Sequence, residues 1–513
     1  MPVKAPMTGV DLSDTACLFP ASGDAPELSP AAVRLSYELA TAAYTMDPGC
    51  WLQAGWQDCS FLVNRSVITG EMLNSSGTPL NGLTRAALQK FARLKMSALN
   101  PVEQVMSLHQ PEQESASLKA IVMIRPQGEQ MIVAVGFMGT GKQLGDWEAN
   151  LRMAVRDGLH EGFLQLAQEF IEKLPQIRFP WAAGVLKQPD LSLREIIDGL
   201  KQPGSPFRLW VCGHSQGGAA MQTFIDRLLQ DGVRREYLRG FGFASPTVAH
   251  PGRPLPADGY PITHIMNADD LVPRLGAWAH LGECLAFDPA EDDRAKMYGP
   301  AAQDPCTLQA RRLLEQAETA PEALLDGIAI LRVLRRQSEA TLRRVLGETE
   351  QMPFTDLLNA GEDSVLSLLD RVAGRLEQGY LYVSGEADLP EARLSALTGA
   401  WEALLREHGA AAWIRGIKNA CILPHRLYDA AGDEIPSYFY IVTEGLDRLR
   451  PAADPSAPPA VLDRGTTAPE AVKRVYRPAV PRPLLPNAAA VRLRRYAASL
   501  RLLAASHALK RRK

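Results

Sequence analysis

The residues of this chain best placed to do chemistry are Gly213-His214-Ser215-Gln216-Gly217. There an apolar run, Leu209 to Cys212, breaks and then resumes at helical spacing through Ala219, Ala220, Phe224, Ile225, Leu228 and Leu229. A short bulky run followed by a three-and-four repeat is the pattern of a buried strand turning straight into a helix. A serine in that turn is held in a strained conformation that projects its hydroxyl above the sheet. The flanking glycines are needed because a Cβ there would collide with the neighbouring chain. The following helix aims its N-terminal N–H groups at the same point. The expectation is a nucleophilic Ser215, with a tight structural turn as the plainer alternative.

A serine hydroxyl is a weak nucleophile until a base takes its proton, and the base needs a carboxylate to fix its tautomer. Downstream, the apolar strand ending at Met266 runs into a polar turn with Asp269 and Asp270, followed by Pro273. Adjacent aspartates cannot both face one imidazole, so one of the two is the candidate acid. Four histidines follow: His280, His408, His425 and His507. His507 sits on a basic tail and His408 in a polar helical stretch, which leaves His425, in a loop after an apolar run, and His280. The mechanism also needs N–H donors where negative charge develops. The backbone of Gln216 and the turn Gly139-Thr140-Gly141, at the end of the Met131–Phe137 run, are the candidates; for Gly139-Thr140-Gly141 a plain turn is the alternative.

The elements that must hold these residues are legible as strands at 120–124, 131–137, 208–212, 240–244 and 262–266. A helix is predicted from Ser29 onward and another through Leu164, Leu166, Ala167, Phe170 and Ile171. Strands alternating with helices imply an α/β fold with a mostly parallel sheet covered on both faces, its ligands lying beyond the carboxyl ends of the strands. Residues 288–410 carry only amphipathic helical stripes and predict a helical insertion. Residues 1–30 are expected to be a flexible leader, and 31–287 with 411–450 the α/β core. Residues 451–486, rich in Pro and Ala, are expected to be a linker and 487–513 a basic helix.

Charge and composition narrow the class further. The seven cysteines show neither paired spacing nor a matching histidine pattern, so neither a zinc site nor a disulfide framework is indicated. The first twenty residues lack the basic start and unbroken apolar core of a signal peptide, and no stretch reaches the ~20 apolar residues of a membrane span. Synthesis as a soluble cytoplasmic protein is expected, with peripheral membrane association or export without a cleaved signal left open. From Lys473 to Lys513 there are twelve basic residues and no acidic one. Each such residue near anionic lipid contributes about 1 kcal/mol, so an anionic membrane surface is one expected partner, with a simple solvated terminus as the equal alternative. A nucleic-acid partner is not expected, because aromatic interleaving is confined to Tyr476 and Tyr496.

Taken together the motifs resemble the class 3 lipases. GHSQGG resembles that family's GHSLGG, GFMGT its FRGT, HEGF its vHxGF, FASPTV its FGxPRV and NADDLVPRL its nxxDxVPxLP. WAHLGE resembles a strand whose histidine, here His280, is not catalytic in the family, and PHRLY resembles its catalytic HxxY. The resemblance covers roughly residues 30–287 and 415–445. It implies an α/β-hydrolase fold, Ser215, Asp270 and His425 as the catalytic triad, and Thr140 with Gln216 as the oxyanion hole. Met138 and His214 beside them are taken as substrate-binding. The implied activity is cleavage of lipid carboxylic esters, glycerolipid or phospholipid, through an acyl-enzyme with no metal or cofactor. Thioester or amide hydrolysis by the same triad, and a catalytically degenerate binding protein, are the alternatives. Two departures stand out: Met138 occupies the place of the family's usual arginine, and 155 positions separate Asp270 from His425. The intervening insertion is expected either to roof the site as a lid or to stand as a helper domain.

Overall fold

The computed structural model describes residues 6–19, 28–45, 48–58, 119–139, 154–179, 191–250, 259–276, 279–317, 319–338, 365–428 and 435–452, with 150, 253, 256 and 342 as isolated positions. Thr140, the Pro/Ala-rich stretch beyond 452 and the basic tail lie outside the described residues.

An eight-stranded sheet organises the rest. Its strands are β1 (Gln57–Asp58), β2 (Ala120–Gln127), β3 (Gln130–Phe137), β4 (Phe207–His214), β5 (Leu238–Phe243), β6 (Ile262–Asn267), β7 (Glu283–Phe287) and β8 (Arg450–Pro451). They lie side by side in chain order. β3 to β7 run parallel, while β1, β2 and β8 pair antiparallel at the two edges. The central strands read as unbroken apolar runs because both faces are covered. Ile121, Met123, Ile132, Ala134, Trp210 and Phe243 point into one apolar cluster, and Val122, Ile124, Val133, Val135, Leu209 and Val211 into the other. The first face packs under α1 (Pro30–Thr45) and residues 437–442. The second packs under α2 (Glu161–Lys173), α3 (Leu193–Gly199) and α4 (Gln216–Gln230). A mostly parallel sheet between two helical layers, with a strand-turn-helix carrying Ser215, is the α/β-hydrolase fold.

Residues 6–19 correct the expectation of a loose leader. Leu12, Leu18 and Phe19 are buried in the first of these clusters. The Trp56 indole N–H donates to the Leu12 carbonyl at 2.7 Å, and the Thr8 amide and hydroxyl both donate to the buried Glu38 carboxylate, at 2.6 and 2.8 Å. Three apolar residues scattered among prolines and acids have no period, yet packing against an existing sheet requires none.

Between β7 and His425 the described residues form helices: α5 (Glu291–Tyr298), α6 (Pro305–Glu315), α7 (Ala320–Arg335), α8 (Val365–Ser384), α9 (Glu391–His408) and α10 (Ala410–Ile422). From α6 onward these helices share a third apolar cluster built around Leu324, Ile328, Trp401 and Trp413. Leu271, next to Asp270, packs against that cluster, and Arg274 donates to the Ala317 carbonyl at 3.0 Å. No helix among the described residues is long and apolar enough to cross a membrane.

Inside this layer Asp326, 3% exposed, accepts from the Trp401 indole at 3.2 Å. Burial pushes its carboxyl up from the ordinary 3.8 to about 6. The folded state therefore disfavours the charged form. That penalty is absent below the unfolded value, grows as pH rises through the interval and is complete above the folded one. Asp326→Asn keeps an acceptor for Trp401 and removes the charge. It should stabilise the protein by about 2 kcal/mol at pH 8 and by nothing at pH 3.5, measured as denaturant midpoints at the two pH values.

Candidate active site

The site is assembled at the carboxyl ends of β3, β4 and β6. Ser215 leaves β4 with φ 56° and ψ −132°, a conformation unfavourable for a residue with a Cβ. It is held there by its amide donating to the Phe243 carbonyl at 2.9 Å. The turn closes only because its neighbours are glycines. A methyl at Gly213 would lie 2.2 Å from the Gly217 carbonyl oxygen, and one at Gly217 2.3 Å from that of Phe137. The end of β3 thus presses on the turn, and Met138 and Gly139 border it. Gln216, 3% exposed, is the first residue of α4, whose N-terminal N–H groups converge on the same turn.

The two adjacent aspartates are separated by their partners. Asp269 takes a bidentate pair from Arg294 of α5, both contacts at 2.7 Å, and a hydroxyl from Tyr298 at 2.9 Å. Asp270, 1% exposed, faces the other way: its Oδ2 accepts the His425 Nδ1–H at 2.9 Å and its Oδ1 the Val272 amide at 3.0 Å. Bonding through Nδ1 leaves the His425 Nε2 lone pair as the basic atom of the neutral ring. The His425 ring lies 4.5 Å, centroid to centroid, from that of His214, the residue preceding Ser215. His280 is engaged elsewhere, its Nε2–H donating to the Ser245 carbonyl at 2.8 Å. Among the described residues no group of three or more His, Cys, Asp or Glu is arranged to hold a metal ion.

Residues 135–279, which run from β3 past Ser215 and Asp270, match the family Lipase (class 3). That segment of the chain is similar to the class 3 lipase family. Similar solved structures include Rhizomucor miehei lipase in its propeptide complex, 23% identical over 33% of this chain and 53% of that one, with a TM-score of 0.24. Others are Lip2 lipase from Yarrowia lipolytica, 16% identical over 34% and 63% with a TM-score of 0.23, and a lipase from Rhizopus microsporus var. chinensis, 16% identical over 44% and 85% with a TM-score of 0.23. The chain thus spans less than two thirds of the first two of these structures. No curated protein matches it.

Several residues that the sequence did not flag lie beside these groups. Tyr438, fully buried, donates to the same Asp270 oxygen as His425, at 3.0 Å. Burial first, and then the Asp270 charge, push its phenol far above the ordinary range, so it stays a donor. Tyr44 of α1 lies 2.7 Å from His214 Nδ1, and His214 Nε2 lies 2.9 Å from the His425 carbonyl. A carbonyl only accepts, so His214 carries its proton on Nε2 and Tyr44 donates to Nδ1. Burial, and next the His425 imidazole, hold His214 well below the ordinary range, neutral at physiological pH. Both of its ring nitrogens are thereby occupied and it is 5% exposed. His214 thus links α1 to the loop that carries His425. Met138, half-buried, packs on the apolar cluster beneath α1.

Proposed function

We propose that this chain hydrolyses carboxylic esters of lipids with Ser215, Asp270 and His425 as its triad. The observation that carries the reading is the Asp270–His425 pair at 2.9 Å, its imidazole packed beside the residue that precedes a serine held at positive φ. His425 Nε2 takes the Ser215 proton as Oγ attacks the ester carbonyl, and Asp270 stabilises the imidazolium that forms. The oxyanion is met by the Gln216 N–H and by Thr140. His425 then protonates the leaving alcohol, and water, activated by the same ring, releases the fatty acid. Every proton in the cycle moves through His425, so the steps need no further group. The similarity of residues 135–279 to the class 3 lipases supports a lipid ester over a thioester or amide, which the same groups could attack.

A fluorophosphonate probe tests this directly. It should label wild-type protein once, with the mass shift on the peptide containing Ser215, and prior labelling should stop turnover of both p-nitrophenyl esters and phospholipid vesicles. Labelling at another residue, or turnover by fully labelled protein, would sink the assignment.

A further inference from the structure

The 155 positions between Asp270 and His425 mean that the covalent chain does not set the distance between them; non-covalent ties do. Asn267, the last residue of β6 and 1% exposed, makes ties to both. Its Oδ1 accepts the Asp269 amide at 3.1 Å and its carbonyl the Asp270 amide at 3.0 Å, which shapes the acid turn. Its Nδ2 donates to the Pro424 carbonyl at 3.2 Å, one residue before His425, and to the Tyr298 hydroxyl of α5 at 3.1 Å. Its own amide donates to the Tyr438 hydroxyl at 3.1 Å, the group that in turn donates to Asp270. The amide orientation is fixed by these partners: a flip would set NH₂ against an N–H and oxygen against a carbonyl.

We propose that Asn267 is a positioning residue for the acid–base pair, its amide locking the turn that carries Asp270 to the loop that carries His425 and joining both to the first of the inserted helices. This rests on the triad reading above. The insertion then has a defined task at the site. It enters through α5, whose Arg294 and Tyr298 hold Asp269 and Asn267, and it leaves through α10, which delivers His425.

The test is a double-mutant cycle on a soluble p-nitrophenyl ester, with rates normalised to fluorophosphonate-titrated sites. Asn267→Ala should lower kcat by about tenfold to a hundredfold, with KM within about twofold, because the reacting groups shift while the substrate surface does not. In an Asp270→Asn background the same change should cost less than about twofold, since a residue acting through that pair has nothing left to position. Tyr298→Phe keeps the ring, deprives Asn267 of one acceptor and should show the same pattern at about threefold; it carries the test if Asn267→Ala does not fold. Equal losses in both backgrounds, or kcat within twofold of wild type for the variant that folds, would overturn the proposal. A fully active Ser215→Ala would overturn the triad reading and this inference with it, whereas an inactive Ser215→Ala beside a fully active Asn267→Ala overturns the inference alone.

Discussion

Ser215→Ala should lower kcat for ester hydrolysis by about six orders of magnitude, down to the level that binding and the oxyanion donors alone provide. The acyl-enzyme requires that oxygen, and no other hydroxyl shares the turn. The fold should survive, because alanine has the same Cβ that serine already holds at φ 56° and adds no strain. Circular dichroism and Tm unchanged, together with activity within tenfold of wild type, would refute the nucleophile.

The second large effect separates the neighbouring aspartates. Asp270 faces donors with both oxygens: Val272 N–H on one, His425 Nδ1–H and the Tyr438 hydroxyl on the other. In Asp270→Asn the new NH₂ meets a donor whichever way the amide turns, and the histidine is driven to the wrong tautomer. A loss of about 10⁴-fold in kcat is expected. Asp269→Asn should do the reverse. It leaves the Arg294 guanidinium, only partly exposed, without its carboxylate, which costs about 3 kcal/mol of stability, while kcat stays within about tenfold. The comparison is a crossed pair of measurements, kcat and denaturant midpoint on each variant; a larger kcat loss for Asp269→Asn would reverse the assignment. His425→Ala and His280→Ala divide in the same sense, since His280 is spent on a backbone carbonyl.

Much of the sheet was legible because strands buried on both faces leave unbroken apolar runs, and α1 was announced by Pro30 at its first turn. The strand-turn-helix around Ser215 was legible for a related reason: its glycines and apolar spacing are all local. Local pattern left Asp269 and Asp270 equivalent. What distinguishes them is Arg294 and Tyr298, which arrive from α5, and His425, from beyond the insertion. Tyr44 and Tyr438 carried no signal, since their contacts join positions 170 and 168 residues apart. A lone tyrosine in an apolar stripe looks like any core residue. Residues 6–19 were misread because composition marks what can form an element, not what can lean on one.

The strands lie in the sheet in the order in which they occur in the chain, and that bears on how the fold is built during synthesis. Each strand from β2 to β7 finds its neighbour already made, so the sheet can grow at one edge as the polypeptide emerges. The turn carrying Ser215 is therefore built early, while His425 waits for about two hundred further residues and for the helical layer that delivers it. On the proposed triad, a nascent chain that stops short of the histidine loop would hold a shaped but inert serine, and competence would arrive as one of the final events of folding.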